Sequence, residues 1–185
     1  NDPLFIASVK RRQQYKDRLH YVKFLIVDEY LELLRRICEE LKETKERALV
    51  YLAAAVSDFF VREEERPTHK LKTPDDRDTH ALVMTCVPKD LQRIVEDVVP
   101  RAYVVSFKLE TDPNALLTSA RKALNKYGHQ LVVANQLETR RTHVMLVDNE
   151  KVEDINHPAD AKTEIEEPLI DNIVRRHDEH IGKSK

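Results

Sequence analysis

Lys122 and Lys126 stand four residues apart in Ala120-Arg-Lys-Ala-Leu-Asn-Lys126, a spacing that puts both ammonium groups on one face of a helix. Lys70 and Lys72 stand two apart in His69-Lys-Leu-Lys72, which in extended chain turns them the same way. An ammonium is a compact point charge suited to phosphate. A single lysine is ordinarily a solvated one; two such pairs weaken that reading and would suit a nucleotide ligand. A second chemical signal is Tyr51-Leu-Ala-Ala-Ala-Val-Ser-Asp-Phe-Phe60. Small side chains at Ala53, Ala54 and Ala55 let a ligand lie almost on the backbone, and Asp58 offers a carboxylate where the apolar run ends.

These groups need elements that bring them together. Apolar runs over residues 48–56, 81–86, 102–107, 130–134 and 143–147 read as strands. Helical spacing separates them over 28–41, 89–98 and 113–126, with weaker helical spacing over 4–20 and an amphipathic helix over 166–180 at the end. Asp28 is expected to cap its helix, Pro113 suits a first turn, and Gly128 suits a stop. Strands alternating with helices predict an α/β fold, a mainly parallel sheet covered on both faces. Residues 1–185 are expected to form a single α/β domain, with residues 57–79, which hold Pro67, Pro74 and Asp75-Asp76-Arg77-Asp78, as a mobile loop. In a parallel sheet the carboxyl ends of strands share one rim, where ligands bind. Asp58, Pro88-Lys89, the run Phe107 to Asp112, and Asn135 fall at the predicted strand ends. Asp58 and Asn135 could read hydroxyls and amides there, and Phe107 offers a flat apolar surface.

Composition closes off other classes. A formal charge of -2 gives no electrostatic case for nucleic acid or an anionic membrane, and no apolar run approaches the ~20 residues of a membrane span. The start lacks a secretory pattern. Cys38 and Cys86 lack C-x-x-C spacing and read as reduced core thiols of a cytoplasmic protein. His177 and His180 have no partners at metal-site spacing, so no protein-held metal is expected and both are placed on the surface. Arg140-Arg141 reads as a solvated turn. Neither Ser57 nor Ser106 sits in a G-x-S-x-G elbow. Gly128 and Gly182 are the only glycines, so a glycine-rich phosphate loop is missing. Either side chains hold the phosphates or such a loop lies outside this chain. The lack of G-x-G-x-x-G also opposes a nucleotide-dependent oxidoreductase.

Six ordered segments carry a family resemblance: Tyr51 to Phe60, His69-Lys70, Val87-Pro-Lys89, Ser106-Phe-Lys-Leu-Glu-Thr-Asp112, Ala120 to Lys126, and Val132-Val-Ala-Asn135. In this order the chain resembles phosphopantothenate–cysteine ligase of the eukaryotic, stand-alone type, over roughly Tyr21 to Ile181, and looks like its C-terminal portion. The resemblance implies a Rossmann-like three-layer fold whose N-terminal Gly-rich part is absent from this chain. It implies a ligase of coenzyme A synthesis that joins 4′-phosphopantothenate to cysteine. The carboxylate attacks the α-phosphate of ATP or CTP, with Mg²⁺ sharing the charge, and pyrophosphate leaves. The cysteine amine then displaces the nucleoside monophosphate. Ala54, Ala55, Asp58, Lys70, Phe107, Lys122 and Lys126 are thereby expected at the nucleotide, with the three lysines as the catalytic charges. Asn135 and Phe107 are expected at the phosphopantothenate. The resemblance also implies a homodimer. The alternative expectation is a catalytically inactive, truncated interaction subunit that keeps the fold and oligomer contacts.

Overall fold

A computed structural model describes residues 3–54, 59–61, 64, 84–86 and 90–183. The chain divides into two compact units, Asn1–Leu33 and Leu34–Lys185. In the first, α1 (Pro3–Gln14) precedes a 3₁₀ turn, Lys16–Arg18, and the start of α2 (Val27–Leu41). The Arg12 guanidinium lies 5.3 Å from the Tyr21 ring centroid, and Phe24 packs on Tyr30 at 5.0 Å. Because α2 begins at Val27, Asp28 lies inside its first turn and not at the expected cap position. The neighbouring Glu29 carboxylate accepts the Leu25 N–H at 2.8 Å, where negative charge also suits the helix dipole.

The second unit is built on strands β1 (Leu49–Leu52), β2 (Phe59–Phe60), β3 (Thr85–Cys86), β4 (Tyr103–Glu110), β5 (Leu131–Gln136), β6 (His143–Val147) and β7 (Val152–Asn156). Its helices are α3 (Asp90–Arg93), continued by a π turn over Ile94–Val98, then α4 (Pro113–Tyr127) and α5 (Glu166–Lys183). The main sheet has the order β1-β4-β5-β6-β7. β1, β4 and β5 pair in parallel, whereas β6 is antiparallel to both β5 and β7. Four of the five strands therefore run one way, as a mainly parallel sheet requires.

The exceptions have a physical cause. Residues 137–142 join β5 to β6 and residues 148–151 join β6 to β7. Neither link has the dozen or more residues that a parallel crossover needs, so both turn back as hairpins. β7 is absent from the expected strands because Val152 and Ile155 are its only apolar residues. Of the strand expected over 81–86, residues 84–86 are described, and its paired part lies outside the main sheet. Thr85 and Cys86 pair antiparallel with Phe60 and Phe59 in a separate two-stranded ribbon. The strand expected over 48–56 stops pairing at Leu52, leaving Ala53 and Ala54 exposed.

Side-chain alternation along β4 and β5 divides the core. Tyr103, Val105, Leu131 and Val133 pack with Leu169 and Ile173 of α5, and Phe107 joins them partly buried. On the other face, Val104 packs with Cys38 of α2 and Ile94 and Val98 of the π turn, while Val132 and Ala134 meet Leu116, Ala120 and Leu124 of α4. The result is three layers, with α5 on one face and the part of α2 from Leu34 onward, α3 and α4 on the other. Cys38 is a fully buried free thiol whose pKa burial raises; the Cys86 side chain lies outside the described atoms.

One charged group fastens α5. Arg176 is 6% exposed and donates to Asp148 Oδ2 at 2.6 Å, Glu153 Oε2 at 2.7 Å and Asn172 Oδ1 at 2.7 Å. Burial alone would raise the Asp148 pKa, but the Lys151 N–H and the Arg176 guanidinium outweigh it and hold the carboxyl below its ordinary value. His177 and His180 are not simply solvated. Their Nε2–H groups donate at 3.0 Å to the carbonyls of Glu46 and Arg101, and both rings pack on Tyr103.

Candidate functional site

α4 is bounded by local chemistry. The Asp112 carboxylate accepts the Asn114 N–H at 2.9 Å, Pro113 fills the first turn, and Gly128 ends the helix at φ 64°, its N–H donating to Leu124 O at 2.8 Å. The residues with the i, i+4, i+8 spacing, Leu116, Ala120 and Leu124, face the sheet. That rotation sets Lys122 and Lys126 at the edge of the buried stripe, over the second half of β4.

Between them lies a cavity of about 380 Å³ lined by Ser106, Phe107 and Lys108 of β4, by Ser119, Lys122, Ala123, Lys126 and Tyr127 of α4, and by Leu91. It brings together three ammonium groups. Lys108 lies 3.5 Å from Glu110 Oε1, and Lys126 lies 5.3 Å from the Tyr127 ring centroid. Lys122 has no ion pair among the described residues. Among the described residues the lining holds these three lysines and no carboxylate. A second cavity, about 290 Å³, contains Arg176. That guanidinium is already committed to two carboxylates, and Glu150 and Glu179 also line the space, which disfavours an anion there.

The expected site residues thus fall into groups. Lys122, Lys126 and the Phe107 segment of β4 border one cavity. By alternation, the Phe107 ring and Asn135 are on the opposite, α5 face, where Phe107 pairs in register with Val133 and Leu109 with Asn135. Asn135 is 7% exposed, and its Oδ1 has no hydrogen-bond partner among the described residues. An unpaired buried acceptor costs roughly 1–3 kcal/mol. Ala54 is exposed and follows β1, whose Leu52 is level with Ser106. Ala55, Asp58, Lys70 and Lys89, with most of the stretch 57–79, lie outside the described residues.

Three participants were not singled out as ligand groups from sequence. Lys108 was visible in the segment Ser106 to Asp112, and strand alternation puts it on the same face as Ser106. Ser106 itself is 8% exposed, with Oγ 2.7 Å from Nε2 of His129. His129 is fully buried, and burial pushes its pKa down to about 4. Its contact with Ser106 spans 23 residues of sequence, which no local pattern reveals. Among the described residues no group of three or more His, Cys, Asp or Glu side chains is placed to hold a metal ion, and no helix is long and apolar enough to cross a membrane.

Comparison with known proteins gives the family. The phosphopantothenate–cysteine ligase of Homo sapiens is 40% identical over 164 residues, 87% of this chain and 52% of that protein. The ligase CAB2 of Saccharomyces cerevisiae is 37% identical over 188 residues, covering 92% of this chain and 51% of that one. The chain spans about half the length of the curated relatives it matches. A solved structure of a Cab2 mutant in complex with phosphopantothenate–cysteine superposes with a TM-score of 0.88 at 36% identity, over 99% of this chain and 63% of that one. The DNA/pantothenate metabolism flavoprotein from Streptococcus pneumoniae shares the fold, with a TM-score of 0.62 at 18% identity over 84% of this chain and 72% of its own. Residues 10–176 match the sequence pattern of one family throughout, and the chain belongs to it: the DNA/pantothenate metabolism flavoprotein C-terminal domain.

Proposed function

We propose that this chain provides the nucleotide-handling portion of a ligase that joins 4′-phosphopantothenate to cysteine. The carrying observation is the cavity that Lys122 and Lys126 share with Lys108 and Ser106. In a chain with no glycine-rich loop, side-chain cations are the available means of holding a triphosphate. The relatives named above, and the ligand named for the Cab2 mutant, support the choice of acid and amine.

The residues divide the work. Lys122, Lys126 and Lys108 neutralise the phosphates of ATP or CTP, with Lys70, Ala54, Ala55 and Asp58 completing the nucleotide pocket. Asn135, whose Oδ1 lacks a partner among the described residues, accepts a hydrogen bond from an amide or hydroxyl of phosphopantothenate, beside the Phe107 ring. The carboxylate and the α-phosphate then meet at the strand ends, where the two faces of the sheet adjoin. Attack on phosphorus releases pyrophosphate, and the cysteine amine displaces the nucleotide to form the amide. The protein's task is positioning and charge neutralisation. Mg²⁺ bound to the nucleotide would share the phosphate charge with these lysines. A homodimer is part of this proposal.

Pyrophosphate release tests it. The chain is mixed with ATP or CTP, Mg²⁺, 4′-phosphopantothenate and cysteine. Lys122→Ala and Lys126→Ala are each expected to lower turnover at least tenfold, the effect of losing one charge-assisted contact. Turnover unchanged in both variants would refute the assignment. Absence of both turnover and ATP binding in the unaltered chain would favour an inactive interaction subunit.

A further inference from the structure

The pair Ser106–His129 is buried, and the chemistry proposed above leaves it unused. Ser106 borders the cavity from β4, whereas His129 sits between α4 and β5 with no exposed surface. Ser106 Oγ and His129 Nε2 are 2.7 Å apart, and Nδ1 has no hydrogen-bond partner among the described residues. Two tautomers compete for this geometry. A proton on Nδ1 would be a buried N–H without an acceptor, with Nε2 accepting from the serine. A proton on Nε2 donates to Oγ and leaves only a lone pair unmatched at Nδ1. Orphaned buried N–H groups are the rarer defect in folded proteins. Desolvation keeps the ring uncharged, so the doubly protonated form does not intervene near neutral pH.

We infer that His129 is held as the Nε2–H tautomer, donates to Ser106 Oγ, and so turns the serine hydroxyl hydrogen outward as a donor to an anionic polyphosphate oxygen lying between Lys122 and Lys126. This inference rests on the nucleotide reading of the cavity. Ser106 is then an anion-binding hydroxyl and not a nucleophile, because the imidazole presents it with a proton where a base would need a lone pair. His129 acts only through Ser106 and is a positioning residue. With Lys108, Lys122 and Lys126 lining the same cavity, one more oriented donor discriminates phosphate from a simple counter-ion.

Two measurements on the intact chain decide the matter. Nitrogen-15 NMR of labelled histidine reads the tautomer directly: Nε2 of His129 is expected to carry the proton, and a proton on Nδ1 would overturn the orientation. Calorimetric titration with inorganic tripolyphosphate reads the ligand. Ser106→Ala is expected to weaken binding roughly tenfold or more, the effect of one hydrogen bond to a charged group. Ser106→Thr, which keeps the hydroxyl, is expected to restore it. His129→Gln, whose amide can still donate to Oγ, is expected to bind more tightly than His129→Leu. If the unaltered chain ignores tripolyphosphate, this inference and the nucleotide reading fall together. If it binds and Ser106→Ala, folded by circular dichroism, binds equally well, only this inference falls.

Discussion

Acidification tests the burial of His129 against a calculable magnitude. The folded-state pKa is pushed down from 6.5 to about 4, while in the unfolded chain the ring titrates near its ordinary value. Above pH 6.5 the group is neutral in both states and adds no pH dependence. Between 6.5 and about 4 the unfolded chain takes up a proton that the folded chain refuses, so stability falls as pH falls. Below about 4 both states are protonated and this loss levels off. A gap of about 2.5 pH units at about 1.36 kcal/mol each amounts to about 3 kcal/mol. That is a substantial part of the ~5–15 kcal/mol by which a domain is ordinarily stable. The assay is urea unfolding at a series of pH values, with His129→Gln as the reference that cannot titrate. Carboxylates confuse the comparison little. Asp148 and Glu153 have lowered pKa values, so their contribution is present above the ordinary carboxylate range, is lost as pH falls from there through the lowered folded-state values, and is common to both proteins. The unaltered chain should lose about 3 kcal/mol more than His129→Gln between pH 6.5 and 4. Parallel pH profiles for the two proteins would refute the claim that this imidazole is buried uncharged.

Three further substitutions have outcomes set by geometry. Arg176→Met should destabilise by about 3 kcal/mol, because it leaves Asp148 without its cation and Glu153 with only the longer ion pairs to Arg175 and Lys151, at 3.8 and 3.9 Å; urea midpoints report this, and adding Asp148→Asn with Glu153→Gln should recover most of the loss. Gly128→Ala should cost about 1 kcal/mol in thermal or urea unfolding, since the left-handed backbone penalises any Cβ. The added methyl would meet nothing within 4 Å, so the cost is conformational, and Gly128→Asn should cost less. Asp112→Ala removes the N-cap acceptor of α4 and should cost about 1 kcal/mol by the same measurement.

What could be foreseen divides by the range of the interactions involved. α4 was legible at both ends because Asp112-Pro113 and Gly128 act within a turn of themselves, and the i, i+4 spacing of Lys122 and Lys126 carried over intact to a shared cavity. Strand direction was not legible from apolar runs, since alternation looks the same either way along the chain. Connection length settles it, and the six residues after Gln136 forbid the crossover that an alternating pattern suggested. Asn135 was correctly expected at the end of a strand, but its face depends on register with β4, which puts it across the sheet from Lys122. His129 escaped notice for the opposite reason to the lysines. A lone histidine beside a glycine has no informative neighbours, and its partner Ser106 becomes adjacent only after β4 and β5 pair.

The strand order grades the main sheet from local to distant partners. Paired residues are 5 apart in sequence between β7 and β6 (Val152 and Val147), 15 between β6 and β5 (Val147 and Val132), 26 between β5 and β4 (Leu131 and Val105), and 54 between β4 and β1 (Tyr103 and Leu49). Closing the longest of these loops costs about 2 kcal/mol more entropy than closing the shortest. The β1–β4 pairing therefore carries the largest loop-closure cost in the sheet, and the hairpin edge the smallest. β1, whose last residue Leu52 is level with Ser106, is thus the strand held to the sheet by its most distant partner in sequence.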